Sequence, residues 1–263
     1  MKKILYFVLT MVCLFVLGGC GGGTQKAEAP VQKQAAAETV LRVGTDADYP
    51  PFEYYQEASK AFTGFDIELM QGVAQEMGYS RVEFVNLDFD KLLPALNEKK
   101  VDAVISCLTV TEERKGKVDF TEPYLDSPNV VVALTGAKFS GADTLKDKSI
   151  AVEAESIHVK AAKKYSNKVT ECGGAEEALK LVADKKADFS IMDHYTARFF
   201  ITNNYNGKLA VMATMPDNKD TGIAIAVSKG NKEMLDKVNA GLEKYKTTAA
   251  FMQLKNTYFG KLK

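Results

Sequence analysis

The string Lys99-Lys100-Val101-Asp102, followed by Ile105, returns as Lys185-Lys186-Ala187-Asp188, followed by Ile191. Each copy sits near the end of a stretch built in the same order. In the first, residues 40–45 read as a buried strand, and residues 65–77 carry apolar side chains at helical spacing before Gly78 ends them. Asp66, Glu68, Gln71, Gln75 and Glu76 fall on the opposite, polar face of that helix. Residues 81–86 form a strand, 89–100 a helix around Leu92, Leu93 and Leu96, and 102–106 a strand. Pro94 conflicts with the middle of that helix, which is expected to start late or kink. The second stretch repeats the order: strand 149–152, helix 158–165, strand 168–171, helix 175–186, strand 188–192 and a helix at 195–203. This alternation predicts an α/β fold of two lobes, each a mostly parallel sheet with right-handed crossovers and flanking helices.

An extended segment at 124–134, interrupted by Pro128, joins the two stretches, and an apolar strand at 222–227 follows the second. Helices at 232–246 and 248–258 come last. A chain that leaves one lobe, completes the other and returns crosses the gap twice. Lobe 1 is therefore expected at 40–123 plus 222–263, lobe 2 at 129–216, and the hinge crossings at 124–128 and 217–221. Ligands of open α/β sheets sit at the carboxyl ends of strands, so facing lobes would enclose a cleft with movable walls.

The start of the chain differs in kind. Lys2 and Lys3 precede an apolar run at 4–17 and then Gly18-Gly19-Cys20. That run is too short to span a bilayer, which takes about 20 apolar residues, and residues 1–19 read as a signal peptide. Beyond Cys20, the stretch to residue 39 is mostly Gly, Ala, Gln, Lys and Glu with Val31 as its large apolar residue, the composition of a flexible tether.

Composition narrows the function further. A balance of 34 Lys+Arg against 34 Asp+Glu argues against a nucleic-acid partner. Two His and four Cys, none at zinc-site spacing, argue against a metal. The glycines at 21–23 follow no strand and lack the Gly-Lys-Ser/Thr ending of a phosphate loop, so no cofactor is expected. With Cys13 and Cys20 outside the fold, Cys107 and Cys172 remain as free thiols or as a disulfide, which export would permit.

Three strings carry a resemblance: GTDADYPPFE from Gly44, GFDIELMQGVA from Gly64 and DAVISCLTVTEERKGKVDFTEPY from Asp102. Over residues 40–262 the chain resembles the family 3 extracellular solute-binding proteins, the polar amino-acid receptors of bacterial ABC importers. The resemblance implies a periplasmic-binding-protein clamshell that closes on a free amino acid and presents it to the transmembrane subunits of an ABC permease. Leu17-Gly18-Gly19-Cys20 is similar to a lipobox, implying cleavage before Cys20 and lipid on it. The mature protein is then expected as a monomer held by that lipid, at the outer face of the cell membrane or in the periplasm. A secreted cyclohexadienyl-dehydratase-like enzyme on the same fold is the alternative, though no catalytic acid beyond Glu153 or Glu155 suggests itself.

Arg is the natural partner of a carboxylate, because its planar fork donates two parallel charge-assisted hydrogen bonds. The family motif puts that role on Arg114, with the Thr109 hydroxyl as second donor and the backbone of Cys107 as a further contact. Asp193 matches the acidic position that takes the ligand's ammonium, with Met192 beside it, and also stands where a helix N-cap would. Tyr49 and Phe65 match two aromatics that sandwich the ligand's side-chain stem, although Phe65 also lies on its helix's apolar face. Asp46 matches an acidic position near the ligand's side chain. In the second-lobe turn, where relatives commonly carry a Gly-Thr-Thr-like sequence, Ser156 is the remaining hydroxyl, Glu155 replaces the usual Gly, and Glu153 and Glu155 add negative charge near the cleft unless they are solvated surface residues. That charge modestly favours a basic amino acid.

Overall fold

The computed structural model describes residues 38–216 and 222–260, so the expected signal peptide, Cys20, all but residues 38 and 39 of the expected tether, and the expected crossing at 217–221 lie outside the described residues. The first lobe opens with β1 (Val40–Thr45), then a short meander of β2 (Asp48–Tyr49), β3 (Glu53–Gln56) and β4 (Ala61–Thr63). It continues through α1 (Phe65–Glu76), β5 (Arg81–Asn86), α2 (Phe89–Asn97), β6 (Ala103–Val104), α3 (Glu112–Lys115) and β7 (Val118–Phe120). After β8 (Leu125–Asp126) the second lobe runs β9 (Asn129–Leu134), β10 (Ile150–Glu153), α4 (Ile157–Lys163), β11 (Val169–Cys172) and α5 (Ala175–Ala183). It finishes with β12 (Phe189–Asp193), α6 (His194–Asn203) and β13 (Leu209–Thr214). The chain then returns through β14 (Gly222–Ile223) and β15 (Ala226–Ser228) to α7 (Lys232–Lys246) and α8 (Ala249–Phe259).

Each lobe is a five-stranded mixed sheet, in the orders β5-β1-β6-β15-β7 and β11-β10-β12-β9-β13. The parallel strands are the expected ones: β1 beside β5 and β6, and β10 beside β11 and β12. The antiparallel partners β7 and β13 were not expected. The apolar run at 222–227 is not one strand. Gly222 and Ile223 pair with β8 at the crossing, whereas Ala226 joins β6 and β7 in the lobe-1 sheet.

Strands buried on both faces read as near-continuous apolar runs, and β9 and β12 are buried along almost their whole length. α1 buries Ile67, Leu69, Met70, Val73 and Ala74, as its spacing predicts. Asp66 is a correction: it is fully buried rather than on the polar face. α2 starts at Phe89 and keeps Pro94 within it, so the late start does not occur. The lobes touch through rings, Tyr195 of α6 lying 4.4 Å from Phe259 and 6.2 Å from Phe52.

Candidate functional site

Between the lobes lies a pocket that, with the solvent open to it, spans about 330 Å³. Its walls are the residues at or just beyond the carboxyl ends of β1, β5 and β6 in one lobe and β10 and β12 in the other, where an α/β sheet places a ligand. The pleat of β1 ends at Thr45, so the next residues turn outward. The Asp46 N–H donates to Ser106 Oγ at 3.0 Å and the Ala47 N–H to Asn86 Oδ1 at 2.8 Å, fixing that turn.

Cys107 turns the chain beyond β6 with a φ of 43°, a left-handed conformation that costs a β-carbon residue about 1–3 kcal/mol. Buried Asp66 holds it there: Oδ2 accepts the Cys107 N–H at 2.8 Å and the Tyr124 hydroxyl at 2.6 Å. Burial pushes the Asp66 carboxyl up to about 6, against those two bonds. Burial and neighbouring Asp66 push Glu53 well above the carboxylate range. Because the Cys107 N–H is committed to Asp66, only its carbonyl remains for a ligand. Cys107 and Cys172 are both free and buried, and burial pushes the Cys107 thiol up, which suits a spacer and not a nucleophile.

Arg114 projects from α3, whose Thr111 cap accepts the Arg114 N–H at 3.2 Å. Its guanidinium lies over the Phe89 ring at 5.2 Å, and Nη1 donates to the Thr109 carbonyl at 3.0 Å. Across the cleft, Nη2 reaches the Glu155 carbonyl at 3.4 Å. Asp193 occupies the N-cap position of α6 but makes no side-chain cap bond. Instead its Oδ2 accepts the Tyr49 hydroxyl from lobe 1 at 2.8 Å, with His158 Nε2 at 3.6 Å, while its buried Oδ1 has no partner. Nε2 of that histidine also lies 3.0 Å from Asn129 Oδ1, and burial lowers its pKa, keeping the ring uncharged at neutral pH. Ser156 caps α4, donating to the Glu153 carbonyl at 2.7 Å and accepting the His158 N–H at 3.3 Å.

Three further carboxylates face the pocket. Asp46 and Asp48 from lobe 1 and Glu153 from lobe 2 each present one oxygen within 4.8 Å of the others, close enough to share one cation. Burial, then neighbouring Asp48, pushes Asp46 up to about 7. Asp48 rises to about 6 through desolvation by the walls, then Asp88, but it is exposed at the mouth and water screens it more. Burial, then Asp48 and Asp46, pushes Glu153 well above the carboxylate range.

Asp46, Tyr49, Cys107, Thr109, Arg114, Glu153, Ser156 and Asp193 all line this pocket. Two expected site residues do not. Phe65 is fully buried in the lobe-1 core, its ring 4.7 Å from Phe259 and 6.1 Å from Tyr124. The apolar face of α1 that Phe65 extends packs inward, so its ring cannot sandwich a ligand. Met192 points into the same core from β12, because side chains alternate along a strand and Asp193 takes the pocket side. Phe89 is the second aromatic in the site beside Tyr49, and it, Asp48 and His158 were not selected by the sequence reading. The available signal was position, since each follows the carboxyl end of a strand.

Comparison with known proteins agrees with this geometry. The family model described as bacterial extracellular solute-binding proteins, family 3, matches residues 41–261. The arginine-binding extracellular protein ArtP of Bacillus subtilis is 30% identical over 265 residues, covering 98% of each chain. An ancestral arginine-binding protein solved with arginine aligns at a TM-score of 0.78 and 33% identity, over 84% of this chain and 98% of that one. The ancestral amino acid-binding protein AncCDT-1, a precursor of cyclohexadienyl dehydratase, aligns at 0.74 and 31% identity, over 84% and 95%. With its two mixed sheets meeting at a polar pocket, the chain belongs to the bacterial extracellular solute-binding proteins, family 3.

Proposed function

We propose that the protein captures a free amino acid with a cationic side chain and delivers it to the permease of an ABC importer. The observation that carries this reading is the set of charges lining the pocket: Arg114 for an anionic group, Asp193 with an unpartnered oxygen, and the acidic triad of Asp46, Asp48 and Glu153 for a further cation. Arg114 takes the carboxylate, supported by the Thr109 hydroxyl. Asp193 takes the ammonium on its orphaned Oδ1, a buried acceptor that is costly to leave unpaired. Tyr49 and Phe89 flank the stem, and Asp46 with its neighbours meets the side-chain cation.

A thermal-shift panel of the twenty amino acids plus ornithine and cystine tests this, because a ligand bound only by the native state raises its stability. Arginine, lysine or ornithine should give the largest shift; a larger shift from an acidic or apolar amino acid overturns the reading. Delivery takes place, in this proposal, from a monomer anchored by lipid on Cys20. Cys20→Ala should move the protein from the membrane to the soluble fraction, and unchanged fractionation would remove the anchor from the proposal.

A further inference from the structure

We propose that Glu153 sets the charge selectivity of the pocket, acting from lobe 2 to complete a receptor that exists only when the lobes are together. The inference rests on the amino-acid clamp described above and deepens it. Glu153 ends β10 and is 7% exposed, yet its carboxylate makes no hydrogen bond to any described residue. The adjacent guanidinium does not neutralise it directly, since Arg114 directs Nη1 at the Thr109 carbonyl and Nη2 at the Glu155 carbonyl. What faces Glu153 across the cleft is more negative charge: Asp46 and Asp48 in the triad. Asp88 and Glu176 also act on Asp48, and Asp193 acts on Glu153 from its own lobe.

Three carboxylates brought together from two lobes repel, and burying one of them without a partner is expensive. Closure on a neutral side chain leaves that repulsion to be relieved only by taking up protons and by the nearby charge of Arg114. Closure on a guanidinium or ammonium replaces it with attraction. Arg114 and Asp193 act on groups common to every amino acid, so they cannot make this distinction. The selectivity therefore comes from penalising the wrong ligand as well as from holding the right one. The contribution of Glu153 is large because it is the buried member and belongs to the moving wall.

Titration calorimetry with arginine and with citrulline, its uncharged isostere, on wild type, Glu153→Gln and Glu153→Leu tests the proposal. Wild type should prefer arginine strongly. Both variants should reduce the arginine-to-citrulline affinity ratio by about tenfold or more, partly by binding citrulline more tightly than wild type does. A variant that is merely less well folded would weaken both ligands together and leave the ratio alone. A wild-type preference that survives unchanged in both variants overturns the role of Glu153 while leaving the cationic ligand standing. Equal binding of arginine and citrulline by wild type overturns the cationic reading itself and this inference with it.

Discussion

Arg114 and Asp193 stand on opposite lobes, and in the proposed clamp each meets a group that every amino acid carries. Truncating one partner of a desolvated, hydrogen-bonded charge pair costs roughly 2–5 kcal/mol, and each 1.4 kcal/mol is about tenfold in affinity. Arg114→Ala and Asp193→Ala should each weaken arginine, lysine and glutamine alike by well over tenfold in calorimetry; a loss confined to one side chain would remove the residue from the backbone clamp. The two phenylalanines separate just as cleanly. Phe65 is fully buried among rings, and Phe→Ala in a core costs about 3–5 kcal/mol. Phe65→Ala should therefore lower the denaturation midpoint markedly. Phe89 lies under the Arg114 guanidinium at the pocket wall. Phe89→Ala should weaken ligand binding with a smaller change in stability, and the reverse pattern in urea titrations and calorimetry would exchange their roles.

The elements that were legible in the sequence were those whose apolar pattern is long. β1, α1, β5, α5 and α7 were all read from period alone, because a strand or helix with one buried face repeats that face many times. β2, β3 and β4 are two to four residues each with mixed burial, too short for a pattern to show. The run at 222–227 was legible as apolar but not as two strands, since apolarity says nothing about which partner a strand pairs with. Asp66 was misread because polar spacing cannot reveal that a carboxylate finds two buried donors. Most pocket residues were recovered through motifs, while Phe89, Asp48 and His158 depend on which loops meet. Gly174, at the start of α5, shows how close that meeting is: a Cβ there would lie 2.5 Å from Asp48 Oδ2 in the other lobe. The aspartate can swing away from a methyl group but less readily from a branched side chain. Gly174→Val should hold the lobes apart, weakening arginine and enlarging the radius of gyration of the arginine-bound form in X-ray scattering. Wild-type values for both would show that the lobes do not close along this contact.

For the molecule as a whole, closure and charge are linked, and pH offers a way to read the link. With the lobes together the Asp46 carboxyl is raised to about 7 and Asp48 to about 6, so the cleft holds protons that a water-exposed carboxylate would release. A neutral ligand leaves those raised values in place. A cationic side chain among the same carboxylates favours their ionised forms and brings the values down. The complex with glutamine therefore binds more protons than the complex with arginine at any pH between about 5 and 7. When the two affinities are divided, the open protein cancels, and so do His158, Asp193 and Arg114 to the extent that both ligands present the same backbone to them. What remains is the difference in protons between two closed complexes, and its sign is fixed. The preference for arginine over glutamine must grow as pH rises through about 5 to 7, and Glu153, which burial, Asp48 and Asp46 also push up, adds in the same direction. Calorimetry at several pH values gives the ratio directly, and repeating it in buffers of different ionisation enthalpy counts the protons. Glutamine should take up more protons on binding than arginine near pH 6. A ratio that stays flat, or falls with pH, would mean that the triad does not meet the ligand's side chain.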